Sequence, residues 1–349
     1  MHMPVADASE ARLYMGKDKK LIQRLCIYFV FLALAVFFIV MGWWIALASE
    51  AVVAVTLIIV IAFYMVNWII KRKYPVLEDD VSVLGKRGEL RDDVKDAVMW
   101  LETGELWDQI SYDGLKLYGR FMKNEGSHTY AICCHGYKNH RMQDISNQAK
   151  KFYEMGHNVF CPHARGHGRS EGTYVGMGCK ERRDICDWIR MIIERDPGAR
   201  IFLYGVSMGG STVMATAGEE LPDNVKCAIE DCGYSSAWDE YSYHIKKVIG
   251  LPYRPILDLC QVISRHRYGF GFKEYSAKEQ VKRSRIPLLF IHGDKDTFVP
   301  YEMMMPMYES CTSEHKKSLT FPDAEHVESY KKDPDRYWEE VGAWLDTYL

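Results

Sequence analysis

The chain of 349 residues has almost no excess of either charge: 44 Lys and Arg against 47 Asp and Glu leave a net −3, with its 12 His neutral. Nucleic-acid binding needs a basic surplus, so this balance argues against a nucleic-acid partner. Any CxxC pair is also missing. The 10 cysteines are scattered, with only Cys133 and Cys134 adjacent, which speaks against a zinc ribbon or a dense disulfide framework and for a reducing compartment. One further absence is local. No charged residue occurs from Leu25 to Ser49, and none from Ala51 to Ile70, so Glu50 alone interrupts an apolar stretch.

As a single helix that stretch would measure about 70 Å, more than twice a hydrocarbon core of about 30 Å, so two membrane spans are expected. Between Leu25 and Val40, 12 residues are Leu, Ile, Val or Phe, worth at most about −4 to −7 kcal/mol of insertion free energy. A secretory signal is not expected: its apolar region runs to about 7–15 residues, and no small-x-small cleavage site ends this one. Lys17, Lys19, Lys20 and Arg24 precede the first span, and Lys71, Arg72 and Lys73 follow the second. The turn expected near Trp43 to Glu50 carries no Lys or Arg. Basic flanks face the cytoplasm, so both chain ends are expected there, with Trp43, Trp44 and Trp68 suited to the interfaces. The expected organisation is a cytoplasmic tail (1–20), a transmembrane hairpin in the cell membrane (21–73), a linker with a helix (74–105) and a folded domain (106–349). A single tilted span is the alternative, and it would place the domain outside the cell.

After the anchor, Arg91 to Glu102 puts Val94, Val98 and Leu101 at helical spacing, a packing face. Two strand-like runs, ELWDQISY and KLYGRF, flank Asp113 and Gly114, a two-residue hairpin signal. TYAICCHG, HNVFCPH, IFLYG, VKCAIED, PLLFIHG and KSLTF follow, most of them separated by helical stretches. Such alternation predicts an α/β fold, a mostly parallel sheet with helices on both faces. The rhythm fails between Asp231 and Arg285. This stretch is rich in aromatics and carries a Gly269, Phe270, Gly271 break; residues 234–285 read as a helical lid over the carboxyl ends of the strands, where such sheets bind ligands. An ordinary crossover with a packed aromatic interior is the plainer alternative.

The chemistry gathers around Ile201 to Ser211, IFLYGVSMGGS. An apolar strand breaks into Gly205, Val206, Ser207, Met208, Gly209, the pattern GxSxG, in which a tight strand-to-helix turn exposes a serine hydroxyl above the sheet. An acid and a histidine follow: Asp296 in IPLLFIHGDKDTFVP and His326 in DAEHVESY. Ser207, Asp296, His326 is one of the chain orders in which a nucleophile, its orienting acid and its base occur. Asp294 is the rival acid; HGxxDxxVP, matched from His292 to Pro300, favours Asp296.

Together HGYKNHR (135–141), ARGHGRSEG (164–172), GVSMGG, EDCGYSS (230–236), IHGDKDTFVP and AEHVESY resemble the alpha/beta hydrolase superfamily, most of all its bacterial branch of membrane-anchored serine hydrolases. The resemblance covers residues 107–349. It implies an alpha/beta hydrolase fold and a membrane-anchored serine hydrolase that cleaves carboxylic esters, from small molecules to acyl lipids, without cofactor or metal. It implies that His326 takes the Ser207 proton while Asp296 orients the imidazole, and that the N–H groups of Met208 and Tyr137 form the oxyanion hole. One departure is His163, where many relatives carry Asp. A peptidase or amidase on the same residues, with Glu230, Asp231, Asp239 or Glu240 receiving a free N-terminus, and a non-catalytic binding protein are the competing readings.

Other polar residues have plainer explanations. His135 is expected to support the oxyanion loop. His163 and His167 lie four apart on a glycine-rich loop with no third ligand, so a metal site is not expected. Met303, Met304, Met305 and Met307 read as core packing, and Cys232, near the start of the insertion, as a thiol open to reagents.

Overall fold

The computed structural model describes residues 22–34, 36, 43–73, 90–139 and 141–349, and the chain divides into two compact units between Tyr64 and Met65. The first contains α1 (Ile22–Leu34), a short apolar helix, and most of α2 (Trp43–Ile70). Leu47–Ile70 is long and apolar enough to cross a membrane. The turn expected near Trp43 to Glu50 is not there: the chain is helical from Trp43, and Glu50 lies inside α2. WWIALASE contains no Gly or Pro to stop a helix. The segment between α1 and α2 at 37–42 and most of the linker, 74–89, lie outside the described residues.

The second unit is built on eight strands: β1 (Glu105–Ile110), β2 (Lys116–Met122), β3 (Thr129–Cys134), β4 (Asn158–His163), β5 (Arg200–Val206), β6 (Val225–Asp231), β7 (Leu288–Gly293) and β8 (Lys316–Phe321). They form one sheet in the order β1-β2-β4-β3-β5-β6-β7-β8. β1 and β2 are antiparallel to their neighbours, and the six from β4 to β8 run parallel. All eight coincide with the apolar runs of the sequence. The hairpin between β1 and β2 is wider than Asp113–Gly114 alone predicts: Ser111 N–H donates to the Leu115 carbonyl at 2.8 Å, closing Tyr112 to Gly114 into the turn.

Continuous apolar strands arise because both faces are covered. Along β5, Ile201 and Leu203 face one core with Phe160, Trp188, Val213, Phe290 and Met304. Phe202, Tyr204 and Val206 face the other with Phe152, Ile291, Tyr337 and Trp344. This is the two-residue alternation of a strand. The first face is covered by α5 (Glu181–Arg195), α6 (Met208–Ala217), α9 (Ala277–Val281) and α10 (Met304–Ser310), the second by α3 (Lys95–Glu102), α4 (Ser146–Glu154) and α12 (Pro334–Tyr348). Val94, Val98 and Leu101 pack as their spacing predicts, as do Met304 and Met307.

The insertion between β6 and β7 holds α7 (Ala237–Tyr243), a π-helical turn (His244–Ile249), α8 (Ile256–Tyr268) and α9. Tyr234, Tyr241, Phe270, Phe272 and Tyr275 are buried within it, and the hydroxyls of Tyr234 and Tyr275 donate to the carbonyls of Met177 and Ser211, each at 3.1 Å, so its aromatics pack onto the domain beneath. The outer strands carry charge: Glu105 and Asp108 on β1, Lys316 and Lys317 on β8.

β3 lies between β4 and β5, so the chain steps to one side from β3 to β4 and then crosses back over β3 to reach β5. At this reversal the loops beyond the carboxyl ends of β3 and β5 part to opposite faces, leaving a crevice. Trp188 on α5 is 1% exposed, its ring 4.7 Å from that of Phe160. Trp188→Ala should cost about 3–5 kcal/mol, read as a lower urea midpoint with an unchanged slope.

Candidate active site

Ser207 follows the last residue of β5 with φ 55° and ψ −120°. This backbone is tenable only because its neighbours are glycines. A Cβ on Gly205 would sit 2.3 Å from the Gly209 carbonyl oxygen, and one on Gly209 would sit 2.0 Å from the Cys134 carbonyl oxygen. The turn is tied down by Ser207 N–H donating to the Asp231 carbonyl at 2.9 Å and by Ser211 N–H donating to the Ser207 carbonyl at 3.0 Å. All ten residues of α6 below it are buried.

The three polar residues singled out in the sequence come together from three loops. His326 Nε2 is 2.9 Å from Ser207 Oγ. His326 Nδ1 is 2.7 Å from Asp296 Oδ2. The other carboxylate oxygen, Oδ1, accepts the N–H groups of Phe298 and Val299, each at 2.9 Å. Burial pushes the Asp296 carboxyl up, but the imidazoles of His326 and His292 outweigh it and hold the group at about 2. Asp296 is therefore an anion that accepts from Nδ1–H, which leaves Nε2 free to accept the serine proton. Asp294 is not part of this arrangement: its carboxylate accepts the Asp323 N–H at 2.7 Å.

The loop after β3 passes beside the serine: a Cβ on Gly136 would lie 3.4 Å from Ser207 Cβ. Asp144 accepts the Gly136 N–H at 2.7 Å. His135 Nε2 accepts the Ala164 N–H at 3.1 Å, so its Nδ1–H donates to the Gly136 carbonyl at 2.8 Å. His167 Nε2 accepts the Lys138 N–H at 2.9 Å, and its Nδ1–H donates to the Arg165 carbonyl at 3.0 Å. The two imidazoles thus support the loop, the role expected of His135, and both ring nitrogens of His167 serve the backbone. The N–H groups on either side of Tyr137 are bound in this way, and its own lies between them.

Sequence reasoning missed Asp144, His292 and Phe298. His292 Nε2 lies 3.3 Å from Asp296 Oδ2 and 3.0 Å from the Val299 carbonyl oxygen, and the Phe298 ring centroid is 4.9 Å from that of His326. His292 sits inside the IHGDKD motif and was legible from it; Asp144 lies in no motif. Cys232 is not at an open entrance. It is 1% exposed, its Sγ lies within 4.8 Å of ligand atoms of Asp296 and His326, and burial with Asp231 and Asp296 nearby pushes its thiol well up.

A family model described as serine aminopeptidase, S33, matches residues 127–247, and one described as serine hydrolase (FSH1) matches residues 205–333. The membrane protein YNL320W of Saccharomyces cerevisiae, named as uncharacterized, is 30% identical over 68% of this chain and 77% of its own. The chain belongs to the alpha/beta hydrolase superfamily. Within it, the two models together make the chain a serine hydrolase. The uncharacterized protein YqkD of Bacillus subtilis is 25% identical over 86% of this chain and 97% of its own. Among solved alpha/beta hydrolase structures, the Pyrococcus furiosus esterase Pf2001 shares the fold with a TM-score of 0.59 and 22% identity, over 80% of this chain and 98% of that one. Est1E from Butyrivibrio proteoclasticus, bound to ferulic acid, does so with a TM-score of 0.54 and 21% identity, over 68% and 96%.

The Asp296 carboxyl gives this alpha/beta hydrolase an acid limit. An unfolded-state value of 3.8 against about 2 in the native chain means its contribution, about 2 kcal/mol, is fully present above pH 3.8 and lost as pH falls through 2. Urea unfolding at pH 5 and pH 2 should show that loss in wild type and not in Asp296→Asn.

Proposed function

We propose that this serine hydrolase is tethered to the membrane and cleaves carboxylic esters through an acyl-enzyme on Ser207. The observation that carries the reading is the chain of hydrogen bonds Ser207 Oγ, His326, Asp296, at 2.9 and 2.7 Å. His326 Nε2 takes the hydroxyl proton as Oγ attacks the ester carbonyl, and Asp296 stabilises the imidazolium that forms. Negative charge on the carbonyl oxygen is met by the Tyr137 and Met208 N–H groups, the second at the amino end of α6, where the helix dipole is positive. The imidazolium then protonates the leaving alcohol, and water repeats the sequence to release the acid.

Esters are favoured over peptides by where the acids sit. A pocket for a free N-terminus needs a carboxylate that substrate can reach, yet Glu230 and Asp231 have no exposed surface and Glu240 almost none, while Asp239 accepts the hydroxyls of Ser235 and Ser236, each at 2.8 Å. Glu240 is 2.9 Å from His244 Nε2. The esterases Pf2001 and Est1E support the same preference by fold alone. The description serine aminopeptidase favours amide cleavage as the second reading, and hydrolysis of aminoacyl-arylamides but not of simple acyl esters would establish it.

Membrane attachment rests on Leu47–Ile70 and on the membrane protein YNL320W. With a hairpin anchor, the domain faces the cytoplasm and substrate esters, acyl lipids included, reach it from that side. A fluorophosphonate should label Ser207 in the full-length chain in detergent, and Ser207→Ala should abolish both the adduct and turnover, a loss of about a million-fold; a variant that still labels and turns over would move the nucleophile elsewhere. Protease added to intact cells should leave a C-terminal tag whole until the membrane is opened. Digestion in intact cells would replace the hairpin with a single span.

A further inference from the structure

The end of α2 belongs to the same compact unit as the sheet, and the way it stops is unusual. The last four carbonyls of a helix have no partner within it. Here each finds one, and two of the four are supplied by the loop after β3. The Asn67 carbonyl accepts the Lys71 N–H at 3.0 Å and the Ile70 carbonyl the Val175 N–H at 2.7 Å. Between them, the Ile69 carbonyl accepts the Tyr137 hydroxyl at 2.5 Å, and the Trp68 carbonyl accepts the Lys138 ammonium. Lys138 also lies over the rings of Tyr137 and Trp68, 4.8 and 5.7 Å from their centroids, and its charge complements the negative end of the helix.

The junction continues past the helix. Arg72 donates through its backbone N–H to the Thr173 carbonyl at 2.9 Å and through its guanidinium to the carbonyls of Ser170 and Gly168, both at 2.6 Å. This is the segment whose His167 holds Lys138 from the other side. Ile69 and Ile70 have no exposed surface. Residues 135–138 are therefore gripped from inside the domain by Asp144, His135 and His167, and from outside by the terminal turn of the membrane helix.

We infer that the last turn of α2 positions the oxyanion loop: Tyr137 offers its backbone N–H to the substrate oxygen, and its own hydroxyl, bound to Ile69, fixes where that N–H points. The inference rests on Tyr137 as an oxyanion donor. On this account the anchor is a working part of the active site, and the catalytic domain does not end at the membrane linker.

Tyr137→Phe in the full-length protein in detergent tests it, because the variant keeps the ring and the N–H and removes only the hydroxyl. With p-nitrophenyl butyrate, kcat per active site should fall about 10- to 100-fold, a displaced donor costing part of what a deleted one does, with KM held within about twofold. Active sites are counted by the end-point of fluorophosphonate labelling, so loss of folded protein does not register as loss of kcat. Lys138→Met, which keeps the stem and removes the second bond to the helix end, should shift kcat in the same direction and carries the test if Tyr137→Phe does not fold. An unchanged kcat, or a raised KM with kcat intact, overturns the inference. Ser207→Ala separates the two levels: turnover surviving in Ser207→Ala overturns the reading of the site itself, whereas a silent Ser207→Ala beside a fully active Tyr137→Phe overturns only the role of α2.

Discussion

A serine held at φ 55° and ψ −120° between a strand and a helix is the constraint on which the rest of this molecule depends. Such a backbone costs about 1–3 kcal/mol and persists only where the surroundings over-determine it. Here they do so by proximity. Gly209 lets the start of α6 press against the carbonyl at the end of β3, and that same contact brings the β3 loop to the serine. The elbow and the loop after β3 are one packing event, not two independently placed features.

Support for that turn extends far from the crevice. The carbonyl of Asp231 receives the Ser207 N–H, while its carboxylate accepts the hydroxyl of Tyr337 on α12, which is 2.8 Å from that of Tyr204 on β5. Burial pushes Asp231 up to about 6, so the Tyr337 hydroxyl is the partner that keeps a carboxylate tolerable there. A second buried charge works similarly on the opposite side of the sheet. Arg165, fully enclosed, spans Asp113 in the β1–β2 turn and Asp184 on α5 at 2.8 and 2.6 Å, pinning the loop that presents His167. Buried ion pairs contribute little net stability but are costly to break. Their evident effect here is to fix loop geometry.

Much of this was legible in the sequence, for identifiable reasons. Strands buried on both faces must be apolar throughout, so β3 to β7 announce themselves as short apolar runs. The serine, acid and histidine are legible because each sits in a loop whose backbone demands particular neighbours. Less legible were arrangements made by residues distant in sequence. Asp144 reaches Gly136 from outside any motif, and nothing in the local pattern around Trp68 to Ile70 distinguishes a helix end that stops at an interface from one that meets a domain. The aromatic insertion reads as a lid from its place between two strands, but composition alone does not say which of its rings line a crevice, and Tyr234, Phe272 and Tyr275 are buried. Cys232 was misplaced because composition says nothing about which side of a strand end faces solvent.

The two outer strands bear on how the molecule lives among its copies. An open sheet offers unpaired N–H and C=O groups along each rim, a template on which another chain can add a strand. β1 presents Glu105 and Asp108 there and buries only Trp107, while β8 begins with Lys316 and Lys317 and returns Lys317 to Glu340 on α12 at 2.5 Å. Rims of this kind are poorly matched to edge-on addition by a neighbour. Charged borders of this kind discourage sheet-to-sheet aggregation between copies held close together.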